Sequence, residues 1–291
     1  MRSIAIVGGG HAGLQLGIGL VRAGYGVTIV TDRTADEVRQ GRVLSSQGMQ
    51  HTGLQHERDL GLSFWDDVAP RHDFIEFSLR GESGGRAVHW RAPVPRHGNS
   101  VCQRVKIPRW SEEFVRLGGT LEIRPAGIAE LEALAAAHEL VIVAAGKGDI
   151  ARLFERDPAR SPYDKPMRAL ALTYAAGMEP SRPDRGVVFN AAPGIGEYFV
   201  MPALTTAGGC EIMVFEGLPG GPMDCWQDVK TPAEHLARSK AILERFFPWE
   251  AARCRRIELT DANGIMSGRF PPTVRKPVAA LPSGKCVLGI A

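Results

Sequence analysis

The sequence predicts an α/β protein in two parts, a parallel sheet flanked by helices and a second sheet of antiparallel strands. Three observations lead to this class. The first residues alternate strand, helix and strand; this alternation continues to about residue 165; and from Arg168 to Glu216 it gives way to β-rich runs broken by Pro and Gly.

The N-terminal segment is predicted to form a βαβ unit. A short apolar run at Ile4–Val7 ends in glycines, which is typical of a buried parallel strand. Helical spacing follows from Ala12 to Ala23 and stops at Gly24, and the next strand is predicted at Val27–Val30. Strand, helix and strand therefore fill about thirty residues, the length of one such unit.

Later elements define the domain organisation. The predicted helices are 105–117, 128–137 and 232–246, the last with Thr231 as N-cap, and the predicted strands are 120–123, 140–143, 169–174, 186–190, 197–201, 211–215 and 285–290. We expect the last strand to return to the first domain. Residues 1–166 and 276–291 are therefore assigned to one domain, and residues 167–275 to a second domain.

Composition narrows the functional classes. The 291 residues carry a net charge of +3 without a long basic run, which disfavours a nucleic-acid partner. The five cysteines are scattered, odd in number and without a C-x-x-C pair, so neither a disulfide framework nor a metal site is predicted. The N-terminal apolar run stops at Gly8, and no apolar run approaches the ~20 residues of a membrane span. A soluble, cytoplasmic protein is expected.

The segment from Gly8 to Gly13 matches G-x-G-x-x-G. In this motif Gly8 permits a tight turn, Gly10 lets the backbone approach a pyrophosphate, and Gly13 lets the helix pack against the strand. The helix N-terminus then offers free N–H groups to phosphates, so His11 and Ala12 belong to the predicted site. A glycine-rich turn without a ligand is disfavoured because the motif follows a strand and opens a helix.

The end of the second strand departs from this motif. An acidic residue that binds the ribose hydroxyls is expected there, but Thr31 ends the strand and Asp32 follows. Asp32 is either a ribose ligand in a shifted position or a turn residue. Arg33 could bind the 2′-phosphate of NADP, but a solvated surface role is favoured for a lone arginine.

Three further segments favour a flavin over a nicotinamide. The strand running into Ala145-Gly146 resembles a segment of FAD proteins of the glutathione-reductase type. The segment Arg42–Ser45, with Leu44, lies where flavoprotein hydroxylases place an arginine-containing flavin contact, and Gln103-Arg104 opens a helix where such enzymes place a polar contact. Each segment alone has a plain structural explanation, but their order along the chain favours FAD.

With these residues assembled, the chain resembles the oxygenase component of two-component styrene/indole monooxygenases, from Met1 to its last residue. The most specific matches are Gly8–Gly17, Thr31-Asp32-Arg33 with Arg42 and Leu44, Ala145-Gly146-Lys147, Leu153-Phe154, Ser161-Pro162, Lys165-Pro166 and Arg168-Ala169-Leu170. The resemblance implies a glutathione-reductase-type FAD-binding Rossmann domain with an inserted antiparallel β-sheet substrate domain. In this family Thr-Asp-Arg is the usual sequence at the end of the second strand. The absence of an acidic residue as the last residue of that strand therefore need not imply NADP.

The resemblance further implies an activity and a partner. An NADH-dependent flavin reductase would supply reduced FAD, which reacts with O₂ to a C4a-hydroperoxide that epoxidises a small styrene- or indole-like aromatic alkene. The flavin performs this chemistry, so no catalytic side chain is predicted, and an apolar pocket keeps the site dry. The candidate residues for the pocket wall are Val187, Phe189, Phe199, Met201 and Leu204. The alternative role for each of them is ordinary core packing. Ser45 stands beside the flavin ring where the styrene enzymes carry Asn. The sequence leaves open whether the protein forms a homodimer.

Two other functions stay open. One is a single-component NAD(P)H-dependent FAD aromatic hydroxylase. The other is an inactive apo flavoprotein fragment, because the chain stops at Ala291, where family members continue with an Asp, a flavin loop and a helical C-terminal region. That helical region is expected to be missing from the fold. A flavin halogenase is disfavoured because the sequence has no W-x-W motif.

Overall fold

Two sheets organise the chain in a computed structural model that describes residues 2–146, 150–180 and 184–290. The strands, in chain order, are β1 (Ser3–Val7), β2 (Gly26–Thr31), β3 (Gly48–Met49), β4 (Arg71–Arg80), β5 (Arg86–Ser100), β6 (Thr120–Ile123), β7 (Leu140–Val143), β8 (Ala169–Ala176), β9 (Gly186–Ala192), β10 (Gly196–Thr205), β11 (Gly208–Gly217), β12 (Glu258–Leu259), β13 (Ile265–Gly268), β14 (Val278–Ala280) and β15 (Cys286–Gly289). The α-helices are α1 (His11–Arg22), α2 (Ala35–Gln40), α3 (His51–Asp59), α4 (Gln103–Arg116), α5 (Ile128–Ala137), α6 (Pro232–Phe246) and α7 (Pro248–Ala251), and short 3₁₀ turns lie at Ile150–Leu153 and Ala252–Cys254.

The first sheet has the strand order β14-β15-β7-β1-β2-β6. Its centre is parallel: β1 pairs with β2 and with β7, and β2 pairs with β6. The C-terminal strand β15 returns to the first domain, as the sequence predicted, and it pairs in parallel with β7. β14 forms an antiparallel edge beside β15. Parallel strands connected by helices on both faces form the dinucleotide-binding type of α/β sheet.

The alternation of side chains along β1 explains the two helical layers of this sheet. Ile4 and Ile6 face the layer of α1 and α4, where they pack with Leu14 and Phe114. Ala5 and Val7 point to the opposite face, towards Leu131 and Leu134 of α5. Because both faces are buried, β1 is a continuous apolar run and not an alternating one.

The second sheet has the order β12-β8-β11-β10-β9-β4-β5-β3, with β13 also paired to β8. The four strands predicted between residues 169 and 217 are present, and they pair antiparallel. One face of this sheet, with Tyr198 and Phe215, packs against Ile242 and Phe246 of α6. The opposite face, with Tyr174 and Ile212, packs against Val43 and Cys102 from the first part of the chain.

Strands β4 and β5 were not predicted, and they extend the second sheet with residues that the sequence assigned to the first domain. β4 pairs in parallel with β9, so the sheet is not wholly antiparallel as expected. β5 contains Pro93 and Pro95, is largely exposed from Arg86 to Arg96, and pairs with β4 on one side only over this length. A one-sided edge strand lacks the apolar alternation that identifies strands in a sequence. The domain boundary at 166/167 otherwise stays a prediction.

An ion pair between a buried arginine and a partly exposed carboxylate joins the two parts of the molecule. The guanidinium of Arg104, at the start of α4, donates to both carboxylate oxygens of Asp261 at 3.0 and 2.8 Å, and also to the carbonyl of Gly41 at 3.3 Å. Next to it, Val43 N–H donates to the carbonyl of Asn263. The hydrogen bonds from Arg104 lower the pKa of Asp261, so this carboxylate is ionised at neutral pH.

We expect Asp261→Asn to lower the free energy of unfolding by about 2–3 kcal/mol at pH 7, because it leaves the buried Arg104 charge without its partner. This figure is below that of a fully buried pair, since the Asp261 carboxylate is a third exposed. The matched control is Asp228→Asn, which removes the carboxylate that Arg238 contacts through both Nη atoms at the surface and should cost much less. Urea unfolding of the three proteins measures the difference.

The contribution of Asp261 also has a defined pH dependence. A carboxylate with a lowered pKa stabilises the protein above its unfolded-state pKa, and loses this effect as the pH falls through its folded-state pKa. The difference between the unaltered protein and Asp261→Asn should therefore shrink below about pH 4. Equal stability of the two proteins at pH 7 would contradict the assigned role.

Candidate functional site

Three glycines of the motif are required by close packing. Gly8 has a φ of +121°, and a Cβ at this position would lie 2.7 Å from the backbone of Ala144. A Cβ on Gly13 would lie 1.9 Å from the carbonyl oxygen of Gly8, and one on Gly9 would lie 2.8 Å from the Cβ of Thr31. The turn after β1 is therefore held between the ends of β7 and β2, with the first turn of α1 pressed onto it.

Gly10 has a different environment. A Cβ at Gly10 would have no atom of the described residues within 4 Å. Gly10 is also the N-cap of α1, in an extended conformation, and no side chain caps the helix there. The first N–H groups of α1 are therefore available beside an open stretch of backbone, which is the arrangement that binds a diphosphate. The residues fit the ADP half of FAD.

A cluster of three ionisable side chains, two of them buried, lies at the start of α1. The carboxylate of Glu57 on α3 is 2.5 Å from the ammonium of Lys106 on α4 and 3.4 Å from the imidazole of His11. Burial alone would raise the pKa of Glu57, but the hydrogen bond from His11 and the charge of Lys106 outweigh it, and the pKa is lowered. Burial lowers the pKa of Lys106, against the opposing charge of Glu57.

Sequence reasoning identified His11 but missed Glu57 and Lys106. Both side chains are 2% exposed. A signal was present in α4, where Lys106 shares the buried stripe of Trp110 and Phe114 at intervals of four residues. A lysine in such a stripe needs a buried partner, and the partner lies on another helix that the sequence does not connect with it.

The predicted flavin contacts after β2 lie at the junction of the two sheets. Leu44 and Ser45 are half-buried, and the Ser45 hydroxyl accepts a hydrogen bond from Gln103 Nε2 at 3.3 Å. The structure thus brings together two segments that the sequence predicted separately. Arg42 is exposed, and it makes no ion pair with any of the described residues. Its guanidinium is available to a phosphate.

Arg104 is buried at the junction between the two sheets. It is 2% exposed, and its guanidinium is bound to Asp261 and to the Gly41 carbonyl. The structure thus places Arg104 at the junction between the sheets, and its role as a cofactor ligand stays a prediction.

The other predicted cofactor residues surround the glycine turn. The side chain of Thr31 packs against Gly9, whereas the carboxylate of Asp32 is 72% exposed and 3.7 Å from Arg33. Ala145 is half-buried and Gly146 is exposed, directly after Ala144. Lys147, part of the matched segment, lies outside the described residues. The roles of these residues as cofactor ligands stay predictions.

The five predicted pocket residues divide into two groups. Val187 and Met201 are buried in the core that also contains Val43 and Tyr174. Phe189, Phe199 and Leu204 are half-buried, and the rings of Phe189 and Phe199 lie 5.2 Å apart. The half-buried group stays the candidate for substrate contact.

A separate cavity of about 320 Å³ lies at the beginning of β8 and the end of β13. Its lining residues are Ala169, Leu170, Asp224, Trp226, Gln227, Ser267, Gly268 and Arg269. None of the five predicted pocket residues lines it.

Over residues 2–146, 150–180 and 184–290, no group of three His, Cys, Asp or Glu side chains is placed to hold a metal, and no helix is long and apolar enough to cross a membrane.

Comparison with protein families and curated proteins places these features in context. Residues 146–253 match the family model described as "Styrene monooxygenase A putative substrate binding domain". Two proteins named styrene monooxygenase StyA, from Pseudomonas fluorescens and from a Pseudomonas sp, are each 28% identical to this chain. Each match covers 99% of this chain and 70% of the relative. The resemblance predicted from the sequence is confirmed.

Solved structures share the architecture at low sequence identity. The flavin-dependent brominase Bmp2 superposes with a TM-score of 0.69 at 14% identity, over 99% of this chain and 70% of the brominase. The flavin-dependent halogenase CmlS has a TM-score of 0.69 at 16% identity, over 97% of this chain and 52% of the halogenase. These similarities concern the fold, and they confirm the predicted FAD-binding Rossmann-type class joined to a second sheet.

The glycine turn yields a prediction about stability. We expect Gly13→Ala to lower the free energy of unfolding by at least about 2 kcal/mol, because the new methyl group overlaps the Gly8 carbonyl oxygen. Gly10→Ala should change it by no more than about 1 kcal/mol, the difference between Gly and Ala at an N-cap. Thermal and urea unfolding of both variants test this, and a larger loss for Gly10→Ala would contradict the described geometry.

Proposed function

Because the chain is a relative of the styrene monooxygenases, we propose that it is the oxygenase of a two-component system that epoxidises small aromatic alkenes with reduced FAD and O₂. One oxygen atom enters the alkene and the other leaves as water, and reduced FAD supplies the two electrons. The coarser assignment, an FAD-dependent monooxygenase, rests on the similarity to the styrene monooxygenases and on the fold.

The observation that carries the proposal is the start of α1. An uncapped helix N-terminus beside the open backbone of Gly10, at the carboxyl end of a central parallel strand, is a site for a dinucleotide diphosphate. The helix N-terminus would bind the diphosphate, and Arg42 would add a positive charge. Asp32 would accept hydrogen bonds from the ribose hydroxyls.

The segment Arg42–Ser45 and the facing sheet would form the ring half of the site. When bound, reduced flavin supplies the activated oxygen. The chain's own task is to orient the ring against the substrate and to exclude water, which the apolar side chains of Phe189 and Phe199 can do without an acid or a base. Ser45, in place of the Asn of the styrene enzymes, is proposed to alter substrate preference and rate.

A separate NADH-dependent flavin reductase is the proposed partner, since the sequence contains one dinucleotide motif and we assign it to FAD. A cytoplasmic location would suit such a partnership, and it fits the five cysteines, all of which are free thiols. The alternative single-component hydroxylase would oxidise NAD(P)H itself. The two functions therefore differ in a measurable way.

We expect Gly10→Ala to weaken FAD binding by at least about tenfold, because its methyl group would occupy the space through which the diphosphate approaches. The matched control is Gly209→Ala in the second sheet, where a Cβ likewise meets nothing within 4 Å. Fluorescence titration with FAD measures both. Equal affinities for the two variants would show that the glycine turn is not the diphosphate site.

We expect NADH alone not to reduce FAD bound to this protein, as followed by oxidised-flavin absorbance after rapid mixing. With chemically reduced FAD, O₂ and styrene, and with catalase present to remove free peroxide, the protein should form styrene oxide. Rapid reduction by NADH without a reductase would favour the single-component hydroxylase. FAD binding without any product would limit the proposal to a flavin-binding protein.

A further inference from the structure

Gln47 has the most unusual backbone of the junction between the two sheets. Its φ of +45° is the one left-handed value at a non-glycine position among the described residues. A left-handed conformation is costly for a residue with a long side chain, and it persists where surrounding contacts enforce it. Gln47 is only 8% exposed, so it belongs to the interior and not to a surface turn.

Its side-chain amide forms hydrogen bonds with three residues. The carbonyl oxygen Oε1 accepts a hydrogen bond from the backbone N–H of Gln103 at 2.9 Å, the first residue of α4, whose N-cap residue offers no side-chain cap. The amide nitrogen Nε2 donates to the Ser45 carbonyl and to the hydroxyl of Tyr174 on β8. Gln47 thus joins its own segment to a helix of the first sheet and to a strand of the second.

These contacts determine which way the peptide groups of the segment point. The Ser45 carbonyl accepts from both the Tyr174 hydroxyl, at 2.7 Å, and Gln47 Nε2. In a trans peptide the N–H points opposite to the carbonyl, so the N–H of Ser46 is turned away from Tyr174. No described residue accepts a hydrogen bond from the N–H of Ser46. The Ser46 carbonyl is held separately, by Ser100 Oγ at 2.8 Å.

We propose that Gln47 is a positioning residue that holds the Leu44–Ser46 backbone, with the Ser46 N–H as a fixed donor, against the ring half of the bound flavin. This inference rests on the proposed binding of FAD at the junction. The acceptors on a flavin ring are its carbonyl oxygens and ring nitrogens, which a preorganised backbone N–H can bind without reorganising. The left-handed backbone is retained because releasing it would turn the 45–46 peptide and remove this donor.

The test separates the two halves of the cofactor. ADP contains the diphosphate and the ribose but no ring, so it reports on the glycine turn alone. We expect Gln47→Ala and Tyr174→Phe each to weaken FAD binding by about 10- to 100-fold while changing ADP binding by less than about threefold. The absorbance change that FAD shows on binding should also diminish. Calorimetric titrations with FAD and with ADP measure the affinities.

Two controls keep the outcome interpretable. Gln55→Ala removes an exposed glutamine that makes one side-chain hydrogen bond, to Asp59, and it should alter neither affinity. Tyr174→Phe retains the ring that packs in the core and removes only the hydroxyl, so it tests the proposal even where Gln47→Ala folds poorly. Equal losses of FAD and ADP affinity, or no loss of either, would overturn the positioning role. Failure of the unaltered protein to bind FAD would instead overturn the proposed function on which this role depends.

Discussion

The contact between α1 and the turn after β1 is the constraint on which the site depends. The helix reaches this position because Gly13 has no side chain to collide with the Gly8 carbonyl, and because Gly8 adopts a backbone conformation that side chains disfavour. Once α1 lies there, its N-terminus points beyond the carboxyl end of the parallel strands. The free N–H groups and the helix dipole would then set the position of the proposed dinucleotide.

The second constraint is the attachment of the second sheet to the first sheet and its helices. Arg104 and Asp261 form a charged link, and the Val43–Gln47 segment lies beside it, held by Gln103 and Tyr174. Both α4 and this segment therefore form contacts with each of the two sheets or their flanking elements. A site assembled from several elements keeps its geometry only where each element is tied to the others, and buried hydrogen bonds provide directional ties that apolar packing lacks.

The cluster of His11, Glu57 and Lys106 places a buried ion pair between Glu57 and Lys106 beside the start of α1. Two of the three side chains are almost fully buried, and a buried ion pair is seldom a better source of stability than apolar packing of the same volume. The Trp110 ring lies 4.8 Å from the His11 ring, which it meets edge-on, and 5.3 Å from the Lys106 ammonium. The charges lie at the end of the helix that would face a diphosphate.

The sequence alone determined the βαβ unit, the glycine turn and the strands from Ala169 to Gly217, because local spacing and glycine placement encode them. The tertiary structure decided the features that depend on distant partners. Exposed β5 acquires its place only by pairing with β4, and Arg104 is bound by Asp261, 157 residues away. Gln47 belongs to no sequence motif. Its hydrogen bonds to Gln103 and Tyr174 form only where the two sheets meet, because both partners are distant in the sequence.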